Sequence, residues 1–233
     1  MSRLPCSVLV VAAHPDDEVI GCGGTIARHV AYGDTVSVLI VAEGVTSRSD
    51  KRNSVTDHHE LNNLAKAAAA ANTAIGVARL NLLNFPDNRM DGMERLDVVK
   101  RVEAELAEVS PTIVYTHHAG DVNIDHCVLH DAVIAACRPQ PGMSVQTLLF
   151  FEVASSTEWR PAASAIQFQP DWFVDIADYW PAKAAALAAY AEEMRSFPHP
   201  RSITALEHLA RWRGACVGRM MAEAFMLGRR IES

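Results

Sequence analysis

Residues 8–18 read VLVVAAHPDDE: the apolar run Val8 to Ala13 ends in one imidazole and three carboxylates, His14, Asp16, Asp17 and Glu18, with Pro15 among them. The run shows no alternation of polar and apolar positions, the mark of a strand buried on both faces in a parallel sheet. Adjacent carboxylates repel one another, and each loses hydration when buried. A cation bound where the strand ends would offset both effects, so this stretch points to a fold and to a site together.

Working outward, short apolar runs alternate with helical spacing. Strands are expected at Ser7–Ala13, Thr35–Ala42, Val77–Leu83, Thr112–Thr116 and Gln146–Val153. Helices are expected at Glu18–Tyr32, closed by Gly33, then at Asp57–Asn72, Met93–Val109 and Cys127–Cys137. In Met93–Val109 the apolar positions Leu96, Val99, Val102 and Leu106 keep helical period until Ser110-Pro111 stops it. After an irregular stretch from Ser155 to about Pro181, two helices are expected at Ala182–Arg195 and Ile203–Phe225. Strand–helix alternation implies βαβ crossovers. The expected class is α/β, a Rossmann-like mostly parallel sheet with helices on both faces and a helical C-terminal cap. The expected organisation is one domain, residues 5–155 as core and 156–233 as cap.

The formal net charge is -7 and no dense Lys/Arg run occurs, which argues against nucleic acid or an anionic membrane as main partner. The interrupted cluster Arg48-Ser-Asp-Lys51-Arg52 reads as a solvated loop. Five cysteines, an odd count without a CxxC pair, argue against a disulfide framework and against a cysteine zinc knuckle. The N-terminal apolar run leads straight into carboxylates, so it reads as a strand and not as a leader. No apolar segment reaches the roughly 18–20 residues of a membrane span. The cytoplasm is the expected compartment.

In open α/β sheets ligands bind beyond the carboxyl ends of strands, near a switch in strand order. A second unusual loop, HHAGDVNIDH at residues 117–126, also follows an expected strand, so both loops should meet at one rim. Pro15 biases His14 toward an extended backbone, which lets the ring finish the strand facing the crevice. Adjacent Asp16 and Asp17 need not point the same way: one can hold a metal while the other faces water. Glu18 falls at a helix start, where the dipole favours negative charge. A catalytic zinc takes three His or carboxylate ligands and keeps one open position. The second loop offers His117, His118, Asp121, Asn123, Asp125 and His126 as sources of the third. Zinc-activated water with a free carboxylate as base is the chemistry of amide or ester hydrolysis.

AHPDDE after an apolar strand, the helix bearing GCGGT, and DVNIDH further on together resemble the PIG-L/LmbE family of zinc-dependent N-deacetylases, over residues 5 to about 155. The resemblance implies removal of an acetyl or other acyl group from a small amino sugar or its conjugate. It implies zinc held by His14, Asp17 and His126, with Asp16 as general base. Arg48 is similar to a substrate-contacting arginine of the family, and relatives often assemble, so a homo-oligomer is implied too. Two departures stand out. Asn123 occupies the place of a histidine in many relatives, and Asp121 falls near where some carry an oxyanion-stabilising tyrosine. Both are expected on the substrate side, with Asp125 orienting a histidine from behind.

Other readings compete. Gly21-Cys-Gly23-Gly24 is glycine-rich in the first βα unit, as in dinucleotide-binding oxidoreductases, yet AHPDDE fills the turn and Ile26 stands where the third glycine belongs. Close helix–sheet packing explains those glycines better. Two His and one carboxylate also describe non-haem iron oxygenases, but these are commonly built on β-barrels. His126 and His130 are spaced as a helix-borne zinc pair, without the glutamate such pairs carry. His117 and His118 line the pocket or are loop residues; His58 and His59 read as surface; His199, between two prolines, reads as a rigid turn. Trp159, Trp172 and Trp180 either stack on sugar rings or cover the sheet edge.

Overall fold

The computed structural model describes residues 4–48 and 58–232. At its centre lies β1 (Ser7–Ala12), which sends Val8, Val10 and Ala12 into one core and Leu9 and Val11, with Ala13 just beyond the strand, into another. This is why the run lacks alternation: both faces are covered, and each fully buried Val or Leu contributes about 1.5–3 kcal/mol. The first core is closed by α1 (Asp17–Ala31), α2 (His58–Ala74), α5 (Trp180–Ala189) and α6 (Ile203–Ala215). The second is closed by α3 (Arg95–Val109) and α4 (Ile124–Ala136).

The remaining strands are β2 (Thr35–Ala42), β3 (Arg79–Phe85), β4 (Ile113–His117), β5 (Thr147–Phe151), β6 (Trp172–Asp175) and β7 (Ala222–Arg230). All seven form one sheet in the order β3-β2-β1-β4-β5-β7-β6. The first five are parallel neighbours, and β7 runs antiparallel to both β5 and β6. The expected mostly parallel α/β sheet is therefore present. Strand order reverses beside β1, whose neighbours are β2 and β4, so a crevice opens beyond the carboxyl ends of β1 and β4.

Two expectations for the C-terminal third need correction. The helix expected over Ile203–Phe225 stops at Ala215, and Ala222–Arg230 is strand β7. The run MMAEAF has good helix formers, but the open edge of β5 takes it as a ladder partner, a tertiary override of propensity. Gly214 lies where a Cβ would sit 2.8 Å from the Arg219 carbonyl and the Met221 backbone, so the chain doubles back there. Strand β6 lies inside the stretch read as irregular. The tail thus extends the sheet as well as capping it.

Helix α1 is kinked at Cys22 (φ -146°, ψ 21°). Its glycines serve packing, as expected: a Cβ on Gly21 would lie 2.4 Å from the Phe151 ring, and one on Gly24 2.8 Å from Ile176. Beyond the kink the Gly24 and Thr25 N–H groups donate to Glu223 at 2.9 and 2.7 Å. Lys183 Nζ donates to Glu223 Oε1 at 2.5 Å and to the Ile20 carbonyl at 2.8 Å. A buried ion pair from the tail therefore stitches the helix that begins at the site. Replacing Lys183 by Met leaves the Glu223 charge buried and unbalanced, and should cost about 3 kcal/mol or more in urea unfolding. Adding Glu223→Gln to that variant should recover part of the loss; an unshifted midpoint in Lys183→Met would contradict the assignment.

Candidate metal centre

The two loops meet. The Ala13 N–H donates to His117 Nε2 at 2.8 Å, joining the end of β1 to the end of β4. Around this joint the ligand atoms of His14, Asp17 and His126 all lie within 4.8 Å of one another. Asp17 Oδ2 is the shared point, 3.2 Å from His14 Nδ1 and 3.2 Å from His126 Nε2. It also accepts the His14 N–H at 2.9 Å, which fixes the turn. The His117 and His126 rings stack at 3.9 Å. With Nε2 taken by Ala13, His117 packs behind the cluster as a buttress and is not a ligand through that nitrogen. His130 does not join His126 in a cluster of ligand atoms among the described residues, and its Nδ1 bonds the His117 carbonyl at 2.8 Å.

The residues fit a divalent cation by three observations. Both ring nitrogens of His126 are buried without a well-formed hydrogen bond, although Nε2 faces Asp17 and Nδ1 lies 3.2 Å from Asp121 Oδ2. The donors are two imidazoles and one carboxylate, a set that suits zinc. The electrostatics favour positive charge. Burial lowers His126, but Asp17 and Asp121 outweigh it and hold it up at about 9. Burial likewise opposes protonated His14, yet bonds to Asp125, Asp17 and Asp87 hold it well above the usual imidazole value. Burial raises Asp17, and His126, His14 and His117 more than reverse this, leaving it well below the usual carboxylate range. The carboxylates thus draw protons onto the histidines, protons that a bound cation would displace.

Behind the first ring stands a second. His14 Nε2 lies 3.0 Å from Asp125 Oδ2 and 3.2 Å from Asp87 Oδ1. Asp125 is pinned by the N–H groups of Asn88 and Met90 at 2.6 and 3.0 Å. Asp87 accepts from the Ser47 hydroxyl at 2.6 Å and from its N–H at 3.1 Å; burial works against its charge, but His14 and Ser47 bring it down to about 2. His14, Asp87 and Asp125 also cluster like metal ligands, but the two carboxylates are already held by other donors and act as a cradle for the ring.

Of the residues expected on the substrate side, Asp121 is buried behind His126. Its Oδ1 accepts from the Ser156 hydroxyl and, at 2.8 Å, from the Asn123 N–H, and its Oδ2 from Thr157 Oγ1 at 2.7 Å. Both oxygens are thus engaged by protein donors, and Oδ2 faces His126 Nδ1 at 3.2 Å, so Asp121 stands to His126 as Asp125 does to His14. Asn123 caps α4, accepting from the Asp125 N–H at 2.9 Å, and its amide donates to Asn88 Oδ1 at 3.0 Å. The backbone of Arg48 ends a short 3-10 turn after β2; its side chain is outside the described residues.

Asp16 stands beside the cluster at φ 112°. Its Oδ2 receives Arg201 Nη1 at 3.0 Å. Burial, opposed by Arg201, holds its carboxyl well above the usual range. Glu18 is fully buried and pushed up to about 7 by that burial, although Tyr190 and Asn72 donate to it. Sequence reasoning missed Asp87, Arg201, Tyr190 and Asn72. Asp87 had a signal, since Pro86-Asp87-Asn88 directly follows β3 at the same rim; the others have none that is local.

Comparison with known proteins identifies the family and the fold. The family model described as PIG-L, GlcNAc-PI de-N-acetylase, matches residues 9–137. A probable N-acetyl-alpha-D-glucosaminyl L-malate deacetylase 2 of Bacillus cereus is 26% identical, over 80% of this chain and 83% of its own. Among solved structures, N,N'-diacetylchitobiose deacetylase of Pyrococcus horikoshii superimposes with a TM-score of 0.76 at 20% identity, covering 95% of this chain and 83% of that one. GalB of Pseudomonas putida KT2440, a 4-carboxy-2-hydroxymuconate hydratase, gives 0.75 at 22%, covering 98% of each. These two likenesses show a shared fold.

If Asp121 and Asp125 orient the histidines, Asp121→Asn and Asp125→Asn should each weaken divalent-ion affinity by about 10–100-fold in competition with a chromophoric chelator. Unchanged affinity in both would show that the rings are positioned by packing alone.

Proposed function

The chain belongs to the PIG-L family of de-N-acetylases, and from that premise we propose that it hydrolyses the N-acetyl amide of an amino sugar or amino-sugar conjugate, with zinc held by His14, Asp17 and His126. The observation that carries this reading is the convergence of those three side chains from loops more than a hundred positions apart, with buried imidazole nitrogens left unsatisfied. The family's description names an N-acetylglucosamine derivative, and the Bacillus relative's name does too, which supports the substrate class.

A zinc ion held by His14, Asp17 and His126 would supply a Lewis acid, lowering the pKa of water to about 7 and polarising the amide carbonyl. The protein's part is then as follows. Asp16 accepts the proton of the attacking water and returns it to the leaving amine nitrogen, one carboxylate serving in both directions. Asp17 and the two histidines hold position because Asp121, Asp125, Asp87 and the Ala13–His117 bond restrain every ring from behind. Arg48 is assigned to substrate contact by its likeness to the family's arginine, and Asn123, which caps α4 and bonds Asn88, braces the second loop. The same fold is found in GalB, a hydratase, so the site and not the architecture determines the reaction.

The test is metal analysis of the purified protein joined to an acetate-release screen over N-acetylated sugars. Asp16→Asn should keep its metal while turnover drops by roughly 100-fold or more, the scale of lost general-base catalysis. His126→Ala should lose both. Full activity in Asp16→Asn would refute the role given to it, and metal-loaded protein that frees no acetate from any N-acetyl sugar would refute the substrate class.

A further inference from the structure

We infer that the C-terminal segment completes the site: Tyr190 and Arg201 are positioning residues that hold Asp16 at its backbone and at its carboxylate, an inference that rests on the reading of Asp16 as base. Both lie outside the residues matched by the family model.

The backbone comes first. A non-glycine residue at φ 112° sits in a region that L side chains rarely adopt and that persists only where the surroundings impose it. Asp16 is tied on both sides of its Cα. Its carbonyl accepts the Val19 and Ile20 N–H groups at 3.1 and 2.9 Å, which starts α1. Its N–H donates to Glu18 Oε2 at 3.1 Å. Glu18 is in turn held by its other oxygen, which accepts Tyr190 Oη–H at 2.6 Å and Asn72 Nδ2–H at 2.8 Å. A fully buried glutamate beside two further carboxylates is expensive for a chain to keep. Its contacts give it one task, to anchor the turn that presents Asp16, and the Tyr190 hydroxyl fixes where that anchor lies.

The carboxylate is fixed separately. Arg201 Nη1 reaches Asp16 Oδ2 at 3.0 Å, while its Nε donates to Ser155 Oγ at 3.0 Å. The guanidinium is planar, so two bonded nitrogens fix its orientation and thereby that of the carboxylate. Its own backbone is braced by the Arg195 N–H on the Arg201 carbonyl at 3.2 Å and by the Arg201 N–H on His199 Nδ1 at 3.1 Å. Among the described residues Asp16 Oδ1 accepts no hydrogen bond, so it is the oxygen left to take a proton. Misplacing a catalytic group by about 1 Å can lower turnover by about 100-fold, which is the scale at which such a clamp matters.

Three variants test this in the full-length zinc-loaded protein: Tyr190→Phe, Arg201→Ala and Arg201→Lys. With N,N'-diacetylchitobiose or N-acetylglucosamine as probe, Tyr190→Phe should lower kcat by about tenfold and Arg201→Ala by about 100-fold, with KM within about twofold and zinc content unchanged. Arg201→Lys should fall between, and added guanidinium should restore part of the Arg201→Ala loss, which a purely structural role would not allow. Crystal structures of Tyr190→Phe and Arg201→Ala test the same point without any substrate: Asp16 should leave positive φ in the first and turn its carboxylate in the second. If Asp16 stays in place in both, the inference is overturned. A wild-type protein inert toward every N-acetyl sugar would sink the proposed function, while the position of Asp16 in those two crystals would still decide the clamp.

Discussion

The hydrogen bond from the Ala13 N–H to His117 Nε2 is the joint on which the site depends. It exists because β1 and β4 are parallel neighbours in register, Val8 beside Ile113 and Val10 beside Tyr115, so that their carboxyl ends finish together. The loops that leave those ends, one carrying His14 to Asp17 and the other Asp121 to His126, have nowhere to go but the same crevice. The clustering of these side chains is an outcome of strand order. Had β4 been placed elsewhere in the sheet, the same motifs would be two unrelated acidic corners.

Charge accounts for the rest. Asp16, Asp17, Glu18, Asp87, Asp121 and Asp125 are all buried around one spot, faced by His14, His117, His126 and Arg201. Burying so much negative charge is unfavourable unless it is paired and hydrogen-bonded. The structure answers in layers. Backbone N–H groups and hydroxyls pin the outer carboxylates, these orient the imidazoles, and the imidazoles with Asp17 define a position for a cation. Lys183 and Glu223 show the same logic away from the site, a buried pair that takes up the backbone groups freed by the kink in α1.

Much of this was legible in the primary structure, for physical reasons. An unbroken apolar run before AHPDDE identifies a two-faced strand, and parallel strands gather their following loops at one rim; β1 and β2 match expectation to within a residue. That His14, Asp17 and His126 come together was readable because motif and topology agree. Two kinds of information were not local. β7 looks helical in sequence and becomes a strand only because β5 offers an edge. Asp121 looks like a pocket residue by analogy with relatives, but Ser156 and Thr157, thirty-odd positions away, claim its oxygens. Arg201 and Tyr190 belong to this second kind, since nothing near PHPRS or AAYAEE announces a partner in residues 16–18.

The central claim is that two imidazoles and one aspartate from opposite loops clasp a single ion. Anomalous diffraction at the zinc edge, on crystals of the protein as purified, tests it most directly. One peak is expected, with His14, Asp17 and His126 at about 2.0–2.2 Å and a fourth coordination position open to solvent. A peak held by other side chains, or protein that stays metal-free after zinc is supplied, would contradict it.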